Sequence, residues 1–497
     1  MLWKTFSKIF PFFPKFAVAA ENVSPNHDEF YWLGQINKAS LVINTDEGLL
    51  CKTLAPKFAK GIATVLEEGE KPGAPRPKTV IAFEPLLIKA AGQEITLLHA
   101  GRSSQDMHAT YRVALMRTEM LSLAESLNAV TAKLLHLGGV HSQTIVPSYT
   151  NGVAAQPTSY GHYLLAFAAG FERDMQRLRQ YYARLDRSPM GTTVLNGSSW
   201  PLNRERMAEY LGFGAVADNA YDASQVYTTE NATEAGYVVS SIMLHIGNFI
   251  EDIMQQYAQP RPWILLQEGG DNTYVSSAMP QKRNPGILNS TRSKASTVIG
   301  DSVGTLFRAH NVPPGMPDAR DAEVYAMVRN ATAVTRNFLR ILGALNVNPE
   351  RSLEELNLDW TASQEVADVL MRDHGVAFRV GHHFASEMVS YARANAITPL
   401  HFPYAEAGRI YKEAVAGYEG PAELPMDEAA FRKALDPVAI VNNRATRGGP
   451  QPAEMTRMLH EAKEKLAADS AWVAGCYATL TAAEEKLEKD FGAVLKS

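Results

Sequence analysis

Between Met116 and Leu137, apolar side chains return at alternating intervals of four and three: Met116, Met120, Leu123, Leu127, Val130, Leu134 and Leu137. Val239, Ile242, Ile246, Phe249 and Ile253 continue the same rhythm further along the chain. This spacing keeps one apolar seam on one face of an α-helix, and partner helices must cover it. A strand, whose side chains alternate every second residue, cannot use it. The expected fold is therefore all-α, built on a bundle of long helices, with the seams serving packing rather than cofactor binding. Seams this long exceed what one small domain covers, so a homotetramer with a buried helical core is expected. Helix stops stand at Gly138-Gly139, Gly212 to Gly214 and Pro313-Pro314-Gly315. Lys71 to Lys78 reads as a proline-rich loop.

The chain has 497 residues, more than one hydrophobic core usually serves. Three parts are expected: an N-terminal helical domain over 1–105, a central bundle carrying the key loop over 106–350, and a C-terminal helical domain over 351–497. Hydrophobic residues make up 46% and charged residues 20%, with a net charge of −5 and no basic block. That balance argues against nucleic acid as a partner. No strand-helix alternation carries a Gly-rich phosphate loop, so a nucleotide-binding sheet is not expected. Cys51 and Cys476 suggest neither a metal site nor a disulfide framework, and a reducing compartment is the default. No metal and no cofactor are expected.

The first residues are ambiguous. Ala17-Val18-Ala19 imitates a signal-peptidase site, but Lys8, Pro11, Pro14 and Lys15 interrupt the apolar core that a signal peptide needs. The expectation is cytoplasmic, with the periplasm as the alternative if Met1 to Ala20 acts as an export signal. No apolar run reaches membrane-spanning length, so no membrane partner is expected.

Val275 to Asn289, VSSAMPQKRNPGILN, carries the chemistry. Two adjacent serines, a Met-Pro pair, Lys282, Asn284 and Pro285 make a loop with a nucleophile-type oxygen, a cation and an amide. The run resembles the signature loop of the fumarase/aspartase superfamily, G-S-S-x-M-P-x-K-x-N-P, with Val275 in place of the leading glycine. LLHAGRSSQDMHAT from Leu97, PSYTNGVAAQPTSYGHYLLA from Pro147 and SPMGTTVLNGSSWPLNRERMAEYLGF from Ser188 follow in order. HGVAFRVGHH from His374 and NNRATRGGP from Asn442 come later. All five resemble blocks of the argininosuccinate lyases, over roughly residues 30 to 455. The resemblance implies three mostly helical domains, a homotetramer, and active sites assembled from segments of different subunits.

It also implies reversible anti-elimination from a succinyl-type adduct, releasing fumarate. A base must take a weakly acidic proton beside a carboxylate, and positive charge and amide donors must stabilise the resulting dianion. Ser276 matches the family's base and would act as an alkoxide held by local donors. Lys282 and Asn284 match the groups that bind the dianion. Thr150 and Gln156 match residues lining the carboxylate site, and Ser103 would hydrogen-bond a substrate carboxylate. Ser104, Gln105, Asn151, Ser277, Met279, Asp318 and Glu323 complete the expected substrate-binding set.

Departures from the pattern cluster on function. The family's histidine of the T-H pair is Asn151, and its partner glutamate is Asn289. Two amides can satisfy one another, but asparagine cannot serve as a general acid. Either another group protonates the leaving atom or, as with a thiolate, it leaves unprotonated. The arginine and asparagine of S-R-N are Ser104 and Gln105, which removes a charge-assisted bond to carboxylate. Asp318, Glu323 and Ala326 replace a tyrosine, a glutamine and a lysine, of which the glutamine and lysine hold the amino-acid end of argininosuccinate in the family. His108 is a candidate substitute acid, whereas His99 and His162 are better read as structural. The expected enzyme cleaves a C–N or C–S bond in a succinyl-type adduct other than argininosuccinate. Its leaving group is expected to lack an amino-acid carboxylate, and a cation would be compatible. The alternatives are argininosuccinate lyase proper and a catalytically silent structural or binding paralogue.

Overall fold

The computed structural model describes residues 27–316 and 324–497. Met1 to Ala20, Asp318 and Glu323 lie outside the described residues.

Three shorter helices come first: α1 (Glu29–Asp46), α2 (Ala55–Gly69) and α3 (Val80–Ala91). The long elements follow: α4 (Ser104–Val140), α5 (Tyr160–Leu185), α6 (Tyr227–Tyr257), α7 (Gly286–Ala309) and α8 (Val324–Ala344). Between α4 and α5 lies an antiparallel hairpin, β1 (Ile145–Thr150) with β2 (Val153–Ser159). A short strand β3 (Ile264–Leu266) follows α6, and β4 (Tyr274–Val275) and β5 (Arg283–Asn284) form a hairpin just before α7. After α8, β6 (Leu345–Val347) pairs antiparallel with β3. The chain then runs through α9 (Pro349–Leu358), α10 (Ser363–His374), α11 (Phe378–Ala394) and α12 (Tyr404–Ala414) to α13 (Pro452–Lys496).

Both seams are buried within the single chain. Met120, Leu123, Leu127, Val130 and Leu134 on α4 are at most 1% exposed, and Val239, Ile242, Ile246 and Phe249 on α6 are fully buried. Helix α4 packs against α5 and α8, and α6 packs against α5, α7 and α8. The seams therefore do not themselves call for a second subunit, contrary to the sequence argument, because the bundle's own helices already cover them. Apolar surface is instead left open on another face, by Tyr237 and Leu244 on α6 and by Val303, Leu306 and Phe307 on α7.

One hydrophobic cluster joins α1 through α8 and includes Met455, Leu466, Val473, Leu487 and Phe491 of α13, which turns back onto it. A second cluster spans Trp360 to Ile440 around α10, α11 and α12. Among the described residues, no helix is long and apolar enough to cross a membrane. Both cysteines are free thiols.

Candidate active site

The signature segment is a hairpin with an exposed tip. Val275 pairs with Arg283 and Tyr274 with Asn284. Pro280 stands second in the tight turn closed by the Lys282 N–H on the Met279 carbonyl (3.0 Å), where its fixed φ suits the geometry. The Ser276 N–H donates to the Lys282 carbonyl at 3.1 Å. Ser276 Oγ in turn accepts from the backbone N–H groups of Ala278 (3.3 Å) and Met279 (3.2 Å). Two donors on one oxygen favour its negatively charged form. Ser277, Met279 and Lys282 are exposed around it, and among the described residues the Lys282 ammonium has no ion-pair partner. Asn284 Nδ2 reaches the Tyr274 carbonyl at 3.4 Å, and Arg283 Nε bonds Glu268 Oε2 at 3.0 Å. Ser276 itself is half-buried in this otherwise exposed hairpin.

Thr150 and Val153 close the β1–β2 hairpin around Asn151 and Gly152, whose φ angles are +52° and +76°. Positive φ at both central residues defines the turn that matches strand twist, and Asn-Gly is its preferred pair. The hairpin is anchored from several sides. Tyr149, next to a bulge after Ser148, donates its hydroxyl to Glu355 Oε1 (2.6 Å) and accepts from Trp263 Nε1 (3.1 Å). Burial, reinforced by Glu355, pushes the Tyr149 phenol up to about 12, so it stays protonated. Gln156 donates to Gln364 Oε1 on α10 at 2.8 Å, and Gln364 donates on to Asp368 at 3.4 Å. Nothing in the sequence motifs singles out Gln364 or Glu355. Both arrive from distant chain segments.

Ser103 is the N-cap of α4. Its N–H donates to Asp106 Oδ1 (2.8 Å), and its Oγ accepts from the Gln105 N–H (3.3 Å), a reciprocal box that satisfies orphan helix donors. The Ser103 hydroxyl proton remains available to a carboxylate. Asp106 is fully buried and also accepts from the Thr192 and Thr193 N–H groups at 3.2 and 3.1 Å. Burial pushes its carboxyl above the usual range, opposed by those backbone donors. Ser104 and Gln105 follow in the first turn, half-buried.

Residues 75–300 match the family described as Lyase, and residues 360–442 match the argininosuccinate lyase C-terminal family. An argininosuccinate lyase of Desulforamulus reducens is 30% identical, covering 84% of this chain and 89% of its own length. One from Methanoculleus marisnigri is also 30% identical, covering 81% and 80%. The chain belongs to the argininosuccinate lyase family. It is a lyase of the fumarase/aspartase superfamily. An EDDS lyase variant with bound fumarate superposes with a TM-score of 0.86 at 24% identity, over 94% of this chain and 92% of that one, which shows a shared fold.

Against the argininosuccinate lyase pattern, the histidines resolve as scaffold. His108 is buried, and its Nε2 accepts from the Val80 N–H at 3.2 Å, at the start of α3. With Nε2 accepting, a neutral His108 ring carries its proton on Nδ1, and Nε2 serves the start of α3. His162 bonds the Gly448 carbonyl through Nε2 (2.8 Å) and Thr158 through Nδ1 (3.3 Å), tying α5 to the loop before α13. His99 lies 3.4 Å from Glu84. Asn151 and Asn289 are both exposed, and among the described residues no hydrogen bond joins them. The pairing expected from sequence is therefore absent within one chain, because Asn151 is held at the outer tip of its hairpin.

The lyase motifs divide between two ends of the bundle. Ser103 stands at the start of α4, whose 37 residues span roughly 55 Å. The Thr150 hairpin follows the far end of α4. The signature hairpin belongs to that far end too. Trp263 and Gln256 bond Tyr149, while Arg292, two turns into α7, pairs with Glu251 near the end of α6. Ser103 and Ser276 of one chain therefore stand toward opposite ends of α4.

Proposed function

We propose that this lyase catalyses the reversible β-elimination of a succinyl-type adduct, breaking a C–N or C–S bond and releasing fumarate, with a substrate other than argininosuccinate. The observation that carries the reading is Ser276 Oγ under two backbone N–H donors, beside an unpaired Lys282 ammonium. As an alkoxide, Ser276 takes the proton beside the substrate carboxylate. Lys282 and Asn284 receive the charge that develops on that carboxylate. Thr150, Gln156, Ser277 and Met279 line the same site. Ser103, Ser104, Gln105 and Asn151 complete it from neighbouring subunits of a homotetramer. A base on a largely exposed hairpin, motifs at opposite ends of a roughly 55 Å helix and the open apolar face at Phe307 all favour such an assembly.

Asn151 and Asn289 supply no proton, and His108 Nε2 accepts from the Val80 N–H. The leaving atom is therefore protonated by another group or departs as a weak base. Glu323 and Ala326 replace the residues that clamp an amino acid in argininosuccinate lyases, and Asp318 replaces a tyrosine beside them. Two missing charge-assisted contacts, each worth roughly 1.5–3 kcal/mol, would weaken transition-state binding of argininosuccinate by about two to four powers of ten. Incubating the protein with fumarate and a panel of amines and thiols tests the reading. Adducts with one of these, and negligible cleavage of argininosuccinate, are expected.

A second reading, argininosuccinate cleavage itself, is favoured by the names of the relatives at 26–30% identity. Arginine formation at a rate like its relatives' would establish that reading and overturn the first.

A further inference from the structure

Arg102 and Arg204 line one small cavity of about 20 Å3, with Ser40, Asn44, Met190 and Gly191. Arg102 is 9% exposed. Its Nη1 donates to Asn37 Oδ1 (3.2 Å) and Ser40 Oγ (3.1 Å), its Nη2 to Asn37 Oδ1 (3.2 Å), and its buried Nε has no partner. Arg204 donates only to carbonyls, those of Met190 (2.9 Å), Asp218 (3.2 Å) and Ala217 (2.8 Å). Among the described residues, neither guanidinium has a carboxylate in ion-pair contact.

Buried cations normally pair with anions, because neutral acceptors do not repay their lost hydration. Asp106 is the buried carboxylate whose field reaches both arginines. Its oxygens are taken by the N–H groups of Ser103, Thr192 and Thr193. Glu84, Glu205 and Asp218 act from the solvent side, where water screens them. Buried Arg102 and half-buried Arg204 against one buried carboxylate, Asp106, leave positive charge in excess. Burial pushes the Arg102 guanidinium down to about 10, a sign of how poorly its charge is compensated.

We propose that this cavity is a binding site for one small monovalent anion of halide size, such as chloride, held between Arg102 and Arg204. One water needs about 10–15 Å3, so the space fits one such particle and excludes a dicarboxylate substrate. Glycine at 191 keeps it open, since a Cβ there would lie 3.1 Å from Arg204 Cγ at a φ of +83°. Arg102 immediately precedes Ser103, so the occupied site would brace the cap of α4.

Crystals of the full chain grown in sodium bromide test the proposal. An anomalous peak within hydrogen-bonding distance of both guanidinium groups is expected, and an ordinary water in that cavity would overturn it. In solution, the melting temperature is expected to rise saturably in sodium chloride relative to sodium gluconate at equal ionic strength. Arg102→Gln and Arg204→Gln are each expected to abolish that difference. Identical melting of the wild-type protein in the two salts would also overturn the proposal. Should either variant fail to fold, the wild-type bromide map still decides.

Discussion

Ser103 and Thr150 stand at opposite ends of one helix. Ser103 caps the first turn of α4, and Thr150 ends the strand that follows its last turn. Both resemble substrate-binding positions of the family, and roughly 55 Å of helix lies between Ser103 and the turn that leads into the strand of Thr150. The most direct resolution is an assembly in which one chain's α4 start meets another chain's hairpins.

That arrangement makes a prediction at Phe307, which is 77% exposed on α7. Phe307→Asp adds no buried charge to the isolated chain, so its far-ultraviolet circular dichroism should be unchanged. In an assembly it would place a carboxylate in an apolar contact. Sedimentation at micromolar concentration should find four chains for the wild type and smaller species for the variant, with activity lost in parallel. A wild-type monomer that is fully active would sink the shared-site reading.

Ser276→Ala removes the proposed base and nothing that the fold needs. Its Oγ serves only the N–H groups of Ala278 and Met279, in an exposed loop where water can replace it. Turnover should fall by about two to four powers of ten, with unchanged thermal melting and assembly. A rate near that of the wild type would mean that another group takes the proton.

His162 ties the end of β2 and the start of α5 to Gly448 through both ring nitrogens. His162→Ala should cost about 1–2 kcal/mol, the worth of losing hydrogen bonds at a half-buried site. The measurement is the urea midpoint at constant m-value. An unchanged midpoint would mean that these bonds are replaced by water at no net cost.

Acidification should destabilise the fold in the histidine range. Burial holds His27, His99, His136 and His141 below the ordinary imidazole value. Between the folded and unfolded values, the unfolded chain binds more protons, so stability rises with pH there. It is fully present above the unfolded pKa and is lost as pH falls through that value toward the folded ones. Melting temperature should therefore drop from pH 7 to pH 5 at constant ionic strength, and a rise over that interval would contradict these assignments.

The sequence by itself determined the helical architecture, because a four-three apolar rhythm has one low-energy use, and the buried seams of α4 and α6 follow it. It also placed Ser276, Lys282 and Asn284 within nine residues of one another, in one candidate loop. At Asn151 the sequence drew attention to the missing imidazole, and the hairpin turn formed with Gly152 emerged only in the structure. Long-range relationships were not legible. His108 became a scaffold acceptor only because folding brings Val80 to it, and Gln156 met Gln364 only across the junction of the bundle and α10. The seams' apparent need for partner subunits vanished for the same reason, since helices distant in sequence cover them. Local spacing fixes which face a helix buries and which turn a dipeptide prefers. Which distant group then meets that face, or accepts a given proton, depends on packing among segments tens to hundreds of residues apart, and only the tertiary structure decides that.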